Sequence, residues 1–141
     1  MSVIFSRECE YAIQALIFLA KQERNTWISI KDVAQQINIP QHFLGKIFQK
    51  LVQKGIVISQ KGFSGGFKLT KDVNKISIFE VVEAIDGDGY RTKCVMGFPD
   101  CSADSPCPIH NKWKSIRDDF VKLIKSKKLF ELAHEIKKPG Y

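Results

Sequence analysis

The fold is decided by residues 31–70, KDVAQQINIPQHFLGKIFQKLVQKGIVISQKGFSGGFKLT. Apolar residues recur at helical spacing on both sides of a short Asn-Ile-Pro segment, which predicts two helices. Ser29 and Asp32 suit the start of the first helix, since they form a capping-box-like pair. Pro40 suits the first position of the second helix, which is expected to end at Gly55. Two helices joined by so short a turn predict a helix-turn-helix.

A β-hairpin is predicted directly after these two helices. Residues 56–60 and 67–69 are β-prone, and the linking segment KGFSGG at 61–66 holds three glycines. A hairpin in this position is a wing. A glycine-rich loop can also bind a nucleotide, but that fingerprint requires a strand that leads into a new helix, which this pattern does not offer.

Further helices are predicted on both sides of this region. Residues 10–20 are almost wholly apolar and predict a buried helix with Ser6 as its N-cap. Ser77 and Glu80 form a capping box for a short helix that ends at Gly87.

A long amphipathic helix is expected beyond Pro108. Its apolar stripe consists of Trp113, Ile116, Phe120, Leu123 and Ile124. The stripe is about 16 Å long at about 1.5 Å per residue, and lysines flank it. Two paired copies would cover it and create two-fold symmetry, so we predict a dimerisation helix. Residues 129–136 are expected to pack back onto the body.

The predicted fold is therefore mainly α with a small β-hairpin wing. We expect a winged helix-turn-helix domain over residues 1–76 and a linker helix with a cysteine-rich loop over 77–110. The dimerisation helix and C-terminal segment would occupy residues 111–141. The length of 141 residues suits one compact domain with an added dimerisation element.

Charge divides the chain in a similar way. The net charge is +7, and residues 1–76 hold eleven Lys and Arg against five Asp and Glu. Residues 77–111 hold two basic against six acidic residues, and residues 112–141 hold nine against four. A basic body favours a polyanionic partner such as DNA, although solvated surface charge explains the same numbers. The acidic middle segment is expected to have a separate role.

A cytoplasmic location is expected. No segment reaches 18 uninterrupted apolar residues, and Glu8 and Glu10 lie where a signal peptide would be basic and then apolar. Four cysteines in a reducing compartment favour metal or redox chemistry over structural disulfides.

The third predicted helix has two distinct faces. Its buried stripe is expected to consist of Phe43, Leu44, Ile47, Phe48, Leu51 and Val52. The outer face is rich in hydrogen-bond donors and lacks acids, which suits contact with DNA bases and phosphates. The predicted DNA-binding residues are Gln41, His42, Lys46 and Lys50 on this helix and Lys61, Gly62, Phe63 and Ser64 in the wing. The alternative is an ordinary solvated helix face.

Three cysteines precede the long helix, in CVMGFPDCSADSPC at residues 94–107. Six residues separate Cys94 from Cys101, and five separate Cys101 from Cys107. Iron-sulfur clusters and structural zinc ions normally take four ligands, so three thiolates imply a fourth ligand from elsewhere or an open position. An open position suits a sensor.

The helix-turn-helix, the glycine-rich wing and the cysteine triplet together resemble the Rrf2 family of bacterial winged-helix transcription regulators. Members of this family include IscR-like, NsrR-like, RirA-like and CymR-like proteins. The resemblance covers nearly the whole chain. It implies a homodimer that binds a pseudo-palindromic operator in double-stranded DNA. In the cluster-binding members it also implies an iron-sulfur cluster, of two or four irons, held by Cys94, Cys101 and Cys107.

The resemblance offers two candidates for the fourth ligand. His110 occupies the place of the ligand histidine in IscR-like members. Glu10 falls where NsrR-like members supply an acidic residue from the partner subunit. Either residue can instead serve its own helix, Glu10 as a partner of the helix dipole and His110 as a helix-start residue. Cys9 lies within the apolar first helix and is expected to be a core residue rather than a ligand.

Several functions stay open. The cluster could sense redox state, nitric oxide or iron-sulfur supply. A zinc site made of the three cysteines and His110 would leave a constitutive DNA-binding protein, but the gaps are wider than in zinc knuckles. A cluster-free regulator would act through thiols or a protein partner. An enzyme is not expected, because His42, His110 and His134 have no evident triad partners and no nucleotide fingerprint is present.

A mechanism follows as a hypothesis. Cluster binding would order residues 87–107, and this loop joins the winged helix to the dimerisation helix. The spacing of the two recognition helices would change with it. Half-sites require recognition helices about 34 Å apart, so a small change in angle is enough to alter affinity.

Overall fold

A computed structural model describes residues 4–23, 25–70, 73–91, 93–99 and 101–137. The chain forms α1 (Arg7–Ala20), α2 (Ile30–Ile37), α3 (Gln41–Gln53), β1 (Val57–Gln60), β2 (Gly66–Leu69), α4 (Ile78–Asp86), α5 (His110–Ser126) and α6 (Leu129–Glu135). Short 3-10 turns lie at Val73–Lys75 and Gly89–Arg91. The predicted order of helices and hairpin is confirmed.

Local capping defines the helix-turn-helix. The backbone N–H of Asp32 donates to the Ser29 hydroxyl at 3.1 Å, which caps α2. Asn38 ends α2 in the left-handed conformation with φ of 56°, as Asn tolerates at helix ends. Pro40 is the N-cap of α3 and precedes it by one residue, and Gly55 follows the helix with φ of 74°.

The wing is a two-stranded antiparallel hairpin that gains a third backbone partner. Val57 pairs with Leu69 and Gln60 pairs with Gly66. Ile28, just before α2, forms two backbone hydrogen bonds with Phe67. The N–H of Ile28 donates to the carbonyl of Phe67 with an N to O distance of 3.0 Å, and the N–H of Phe67 donates to the carbonyl of Ile28 at 2.8 Å. This bridge was not predicted. It attaches the loop end of β2 to the start of the helix-turn-helix.

Gly66→Ala is expected to destabilise the wing. Gly66 has φ of 145°, and an added Cβ would press on the backbone of Ile28. Such backbone conformations cost a non-glycine residue about 1–3 kcal/mol, so the free energy of unfolding in urea should fall by that amount.

Gly45→Ala is the matched control. In the described part of the chain, a Cβ at Gly45 would meet no atom within 4 Å. Alanine has the higher helix propensity, so this variant should gain about 1 kcal/mol of stability. If Gly66→Ala unfolds at the same urea concentration as the wild type, the close approach of Ile28 does not matter for stability.

The core lies between α1, α3, α4 and α6. The fully buried side chains include Leu16, Leu44, Phe48, Val81 and Leu129. Ser77 and Glu80 form the complete capping box that the sequence predicted for α4. The segment before α6 pairs with the segment before α4, through the N–H of Leu129 and the carbonyl of Ile76 at 2.9 Å. Residues 129–136 thus pack back on the body, as expected.

Some apolar side chains of α3 and α5 are exposed. Phe43 was assigned to the buried stripe of α3, and this is wrong, because its side chain is 46% exposed. Leu44, Ile47, Phe48 and Leu51 fill that side of the core instead. On α5, Ile116 is 59% exposed and Leu123 is 55% exposed, so part of the predicted dimer stripe has no cover within the described residues.

The described residues include no helix with the length and apolarity that crossing a membrane requires.

Candidate metal centre and nucleic-acid interface

The cysteine loop is attached to the body at both ends. Where α4 ends, the backbone N–H of Ser6 donates to Asp86 Oδ2 at 2.9 Å, and the Ser6 hydroxyl donates to the other oxygen of that carboxylate. Ser6 also caps α1, because its hydroxyl accepts from the N–H of Cys9 at 3.0 Å. Nearer α5, the indole N–H of Trp113 donates to the carbonyl of Lys93 at 3.0 Å. The loop is therefore connected to α1 and to α5.

The structure brings the three predicted ligands together. The sulfur atoms of Cys94, Cys101 and Cys107 all lie within 4.8 Å of one another, although the residues are separated along the chain. Cys94 Sγ is 3.8 Å from Cys107 Sγ, and Cys101 Sγ is 3.2 Å from His110 Nδ1. All three cysteines are partly exposed and free of disulfides. The group is compatible with binding a metal ion or a cluster.

The three thiols differ in acidity. Partial burial raises the pKa of Cys94, but hydrogen bonds from the backbone N–H groups of Met96 and Phe98 lower it and prevail. For Cys101, a hydrogen bond from the backbone N–H of Cys107 lowers the pKa. Partial burial and the neighbouring thiols raise it by more, so the pKa of Cys101 is raised. Cys94 is therefore the first of this pair to become a thiolate.

The backbone contribution to this site was not predicted. The N–H of Gly97 donates to the carbonyl of Cys94 at 2.9 Å, and Gly97 has φ of 81°. Within this tight turn the N–H groups of Met96 and Phe98, on either side of Gly97, donate to the Cys94 sulfur. A glycine three residues after the first cysteine is the sequence signal that indicates such a turn.

The distances fit a tetrahedral metal. With metal-sulfur bonds of about 2.3 Å, two thiolates on one tetrahedral ion lie about 3.8 Å apart. Cys94 and Cys107 have this separation. A centre with two irons also accepts two ligands per iron, and it tolerates histidine in place of cysteine. The three thiols and the neighbouring imidazole are thus compatible with a metal ion or an iron-sulfur cluster.

A cavity of about 380 Å³ opens beside two of the thiols. It is lined by Phe98, Pro99, Cys101, Ser105, Pro106, Cys107 and Pro108. Three prolines and an aromatic ring are part of this lining, and the polarity of such a shell influences the reduction potential of a bound centre.

The two candidates for the fourth ligand lie in different places. His110 is the first residue of α5 and already contacts Cys101. Glu10 is in the first turn of α1, where its carboxylate is 3.8 Å from the guanidinium of Arg7. His110 would bind the metal of its own chain, whereas Glu10 would bind the metal of the partner subunit. Both candidates stay predictions.

Cys9 is expected to resist alkylation in the folded protein. Its side chain is fully buried in α1. Burial, followed by the negative charges of Asp86 and Glu10, raises the pKa of Cys9 from 9.0 to about 12. An acid with a raised pKa stays protonated, so at pH 8 its thiolate is about a thousandfold scarcer than for an ordinary thiol.

The test is iodoacetamide treatment of metal-free protein at pH 8, followed by peptide mass mapping. Cys94 should react before Cys101, and Cys9 should react only after guanidinium is added. Labelling of Cys9 in native protein at the rate of Cys94 would show that α1 is not packed as described.

The nucleic-acid interface predicted from sequence forms a single exposed face on α3. Gln41, His42 and Lys46 are exposed. Lys50, further along, has its Nζ 2.7 Å from Glu8 Oε2 on α1. This ion pair was not predicted, and it partly neutralises the charge that Lys50 offers to a phosphate. The exposed members of the predicted set on α3 therefore lie in its first two turns.

The wing tip holds the other predicted DNA-binding residues. Residues 61–64 are all exposed, and the ring of Phe63 is fully so. Gly62 has φ of 110°, a conformation that glycine adopts without strain. The tip thus presents Lys61, backbone N–H groups and an aromatic ring to solvent.

Known proteins share this architecture. Residues 5–135 match the model of the Rrf2 family, described as an iron-dependent transcriptional regulator. An HTH-type transcriptional regulator of Aquifex aeolicus is 35% identical over 135 residues, which cover 94% of this chain and 92% of that protein. IscR of Vibrio vulnificus is 30% identical over 125 residues, covering 89% of this chain and 74% of IscR.

Solved structures of known regulators have the same fold as this chain. CymR, the global cysteine regulator of B. subtilis, superposes with a TM-score of 0.78 at 25% identity, covering 94% of this chain and 98% of CymR. IscR of T. potens gives a TM-score of 0.69 at 19% identity, covering 94% and 91%, and supports the fold. These superpositions confirm the predicted fold class. The relatives are regulators of transcription, which confirms the expectation that the chain is not an enzyme. The chain belongs to the Rrf2 family of transcriptional regulators.

Proposed function

We propose that the protein is a homodimeric DNA-binding regulator that senses redox state, nitric oxide or iron-sulfur supply through an iron-sulfur cluster. It would act in the cytoplasm, where bacterial DNA lies. The observation that carries this proposal is the convergence of Cys94, Cys101 and Cys107 within 4.8 Å, at the junction with α5. The residues would divide into a DNA-binding part at 1–76, a sensing part at 77–110 and a dimerisation part at 111–141.

DNA binding is supported by the exposed faces of α3 and the wing. Gln41, His42 and Lys46 lie in the first turns of α3, the part of a recognition helix that meets base edges. Lys61, Gly62, Phe63 and Ser64 at the wing tip would contact phosphates or the minor groove. Lys50 would contribute less than the sequence suggested, because Glu8 pairs with it.

Dimerisation is supported by the uncovered apolar side chains of α5. Ile116 and Leu123 are seven residues apart, so they lie on the same face two turns apart. Their exposure in one chain is unfavourable in water, and a second copy of α5 would bury them. A dimer of this kind binds two half-sites related by two-fold symmetry.

The cluster would be held by the three cysteines, with His110 or the partner subunit's Glu10 as the fourth ligand. When bound, an iron-sulfur cluster supplies a redox-active centre whose potential depends on its ligands, hydrogen bonds and solvent exposure. The N–H groups of Met96 and Phe98 stabilise the Cys94 thiolate, and this favours binding at neutral pH.

The loop attachments suggest how the centre would influence DNA binding. Asp86 accepts two hydrogen bonds from Ser6, the N-cap of α1, and Glu8 in the first turn of α1 pairs with Lys50 of α3. At the other end, Trp113 of α5 holds Lys93. A change in the loop would therefore act on α5 and, through α1, on α3. The spacing of the recognition helices would change as a result.

The test compares loaded and metal-free protein on DNA selected from a random duplex pool. Protein purified without air is analysed for iron, sulfide and zinc, and its affinity is measured at one fixed salt concentration. The loaded and metal-free forms should differ at least tenfold in affinity for the selected site. Equal affinities would show that the centre does not control binding.

A second candidate is a zinc-containing or cluster-free regulator of the same fold. The 3.8 Å separation of Cys94 and Cys107 matches a mononuclear tetrahedral site, and CymR shares the fold. A colourless protein with one zinc ion per chain would support the zinc form. Colourless protein without metal, in which oxidised thiols alter DNA binding, would support the thiol form.

A further inference from the structure

Phe43 is an exposed aromatic residue that the core does not require. It is the third residue of the helix, its ring is 46% exposed, and it lies outside the hydrophobic core. Leu44 beside it is fully buried, so the core is filled without Phe43. The exposed part of the phenyl ring would gain free energy if a binding partner covered it.

Two neighbouring rings hold Phe43 in place. The ring centroids of His42 and Phe43 are 4.3 Å apart, with an angle of 37° between the planes. On the other side Tyr11, which is half-buried on α1, lies 6.3 Å away. Such contacts between aromatic rings restrict rotation. Phe43 is thus presented in a defined position, and little side-chain entropy is lost when it binds a partner.

The surroundings of Phe43 indicate a nucleic acid rather than an apolar protein surface. Gln41, His42 and Lys46 are exposed beside it, and α3 contains no acidic residue. In the major groove the one apolar group on a base edge is the C5 methyl group of thymine, and phenylalanine is among the side chains that contact it.

We propose that Phe43 is a specificity-determining residue that contacts the C5 methyl group of one thymine in each half-site. The proposal rests on the proposed DNA-binding function and goes beyond it by naming the chemical group that is read. The contact discriminates thymine from cytosine and from uracil, since neither carries the methyl group. Gln41, His42 and Lys46 supply the polar contacts around it.

The test replaces single thymines by uracil in the DNA that the wild-type protein selects from a random pool. Uracil differs from thymine only by the missing methyl group. At one position in each half-site, the wild-type affinity should fall about fourfold, the value for one buried methyl-sized group. Uracil at other positions should have less effect. For Phe43→Ala, thymine and uracil at the sensitive position should bind equally well.

Phe43→Leu is the second variant. Leucine is apolar and should retain part of the thymine preference, and thermal unfolding of both variants shows whether α3 is intact. If Phe43→Ala folds and keeps the fourfold preference, Phe43 does not read the methyl group. If no thymine is sensitive in the wild type, the proposal also fails, although DNA binding stands. If the wild-type protein selects no sequence, both the DNA-binding function and the role of Phe43 are wrong.

Discussion

Cys101→Ala is expected to abolish binding of the metal centre. Cys101 is one of three thiols within 4.8 Å of one another, and its sulfur also contacts His110 Nδ1 at 3.2 Å. Loss of a group that only orients a ligand already costs about 10- to 100-fold in metal affinity, so loss of a ligand itself should cost more. Iron, sulfide and zinc per chain, with the visible spectrum of protein purified without air, measure the effect.

Cys9→Ala is the matched control, because it also removes one thiol. Cys9 lies on α1 and is buried in the hydrophobic core, apart from the cysteine triplet. This variant should therefore keep its metal content, although it loses some stability. If Cys101→Ala keeps the same colour and metal content as the wild type, the triplet is not the metal site.

Comparison of His110→Ala with Glu10→Ala chooses the fourth ligand. His110 already contacts Cys101 in one chain, so its loss should alter the spectrum in the monomer as well as in the dimer. An effect of Glu10→Ala that appears only in the dimer would assign the ligand to the partner subunit.

The second large effect is expected for Ile116→Glu on α5. Ile116 is 59% exposed in the single chain, so a glutamate is tolerated there until a second copy covers it. In the dimer the charge would be buried without a partner, which is strongly unfavourable. The variant should sediment as a monomer. Its affinity for the selected operator should fall about 100- to 10,000-fold, since two linked binding modules gain about that much over one.

Ser115→Glu introduces the same charge at the neighbouring exposed position. Because adjacent residues of a helix point about 100° apart, this variant should remain dimeric and should bind DNA with nearly unchanged affinity. A monomeric Ser115→Glu protein, or a dimeric Ile116→Glu protein, would show that the stripe is not the dimer interface.

Local signals explain why so much of the fold could be predicted. The Ser77 and Glu80 capping box depends on two residues three positions apart, and both of its hydrogen bonds are present. Gly55 likewise ends α3 because of its own backbone conformation. These interactions are settled within one helical turn, so the sequence contains all the information about them.

The features that were predicted wrongly or missed depend on contacts between distant parts of the chain. Periodicity placed Phe43 in the core, but its ring lies at the surface, beside Tyr11 of α1. The bridge from Ile28 to Phe67 and the ion pair of Glu8 with Lys50 join residues about forty positions apart. A pattern along the chain cannot specify such contacts, because they depend on how helices pack.

The sequence by itself determined the winged helix-turn-helix, the order of its elements and the candidate ligands, because helix periodicity, caps and turns act between near neighbours. Only the tertiary structure decided that three thiols, spread over the thirteen positions from Cys94 to Cys107, lie within 4.8 Å of one another. It also decided that Lys50 pairs with Glu8 and that Phe43 faces solvent. The physical reason is that these arrangements result from packing between segments that are distant along the chain.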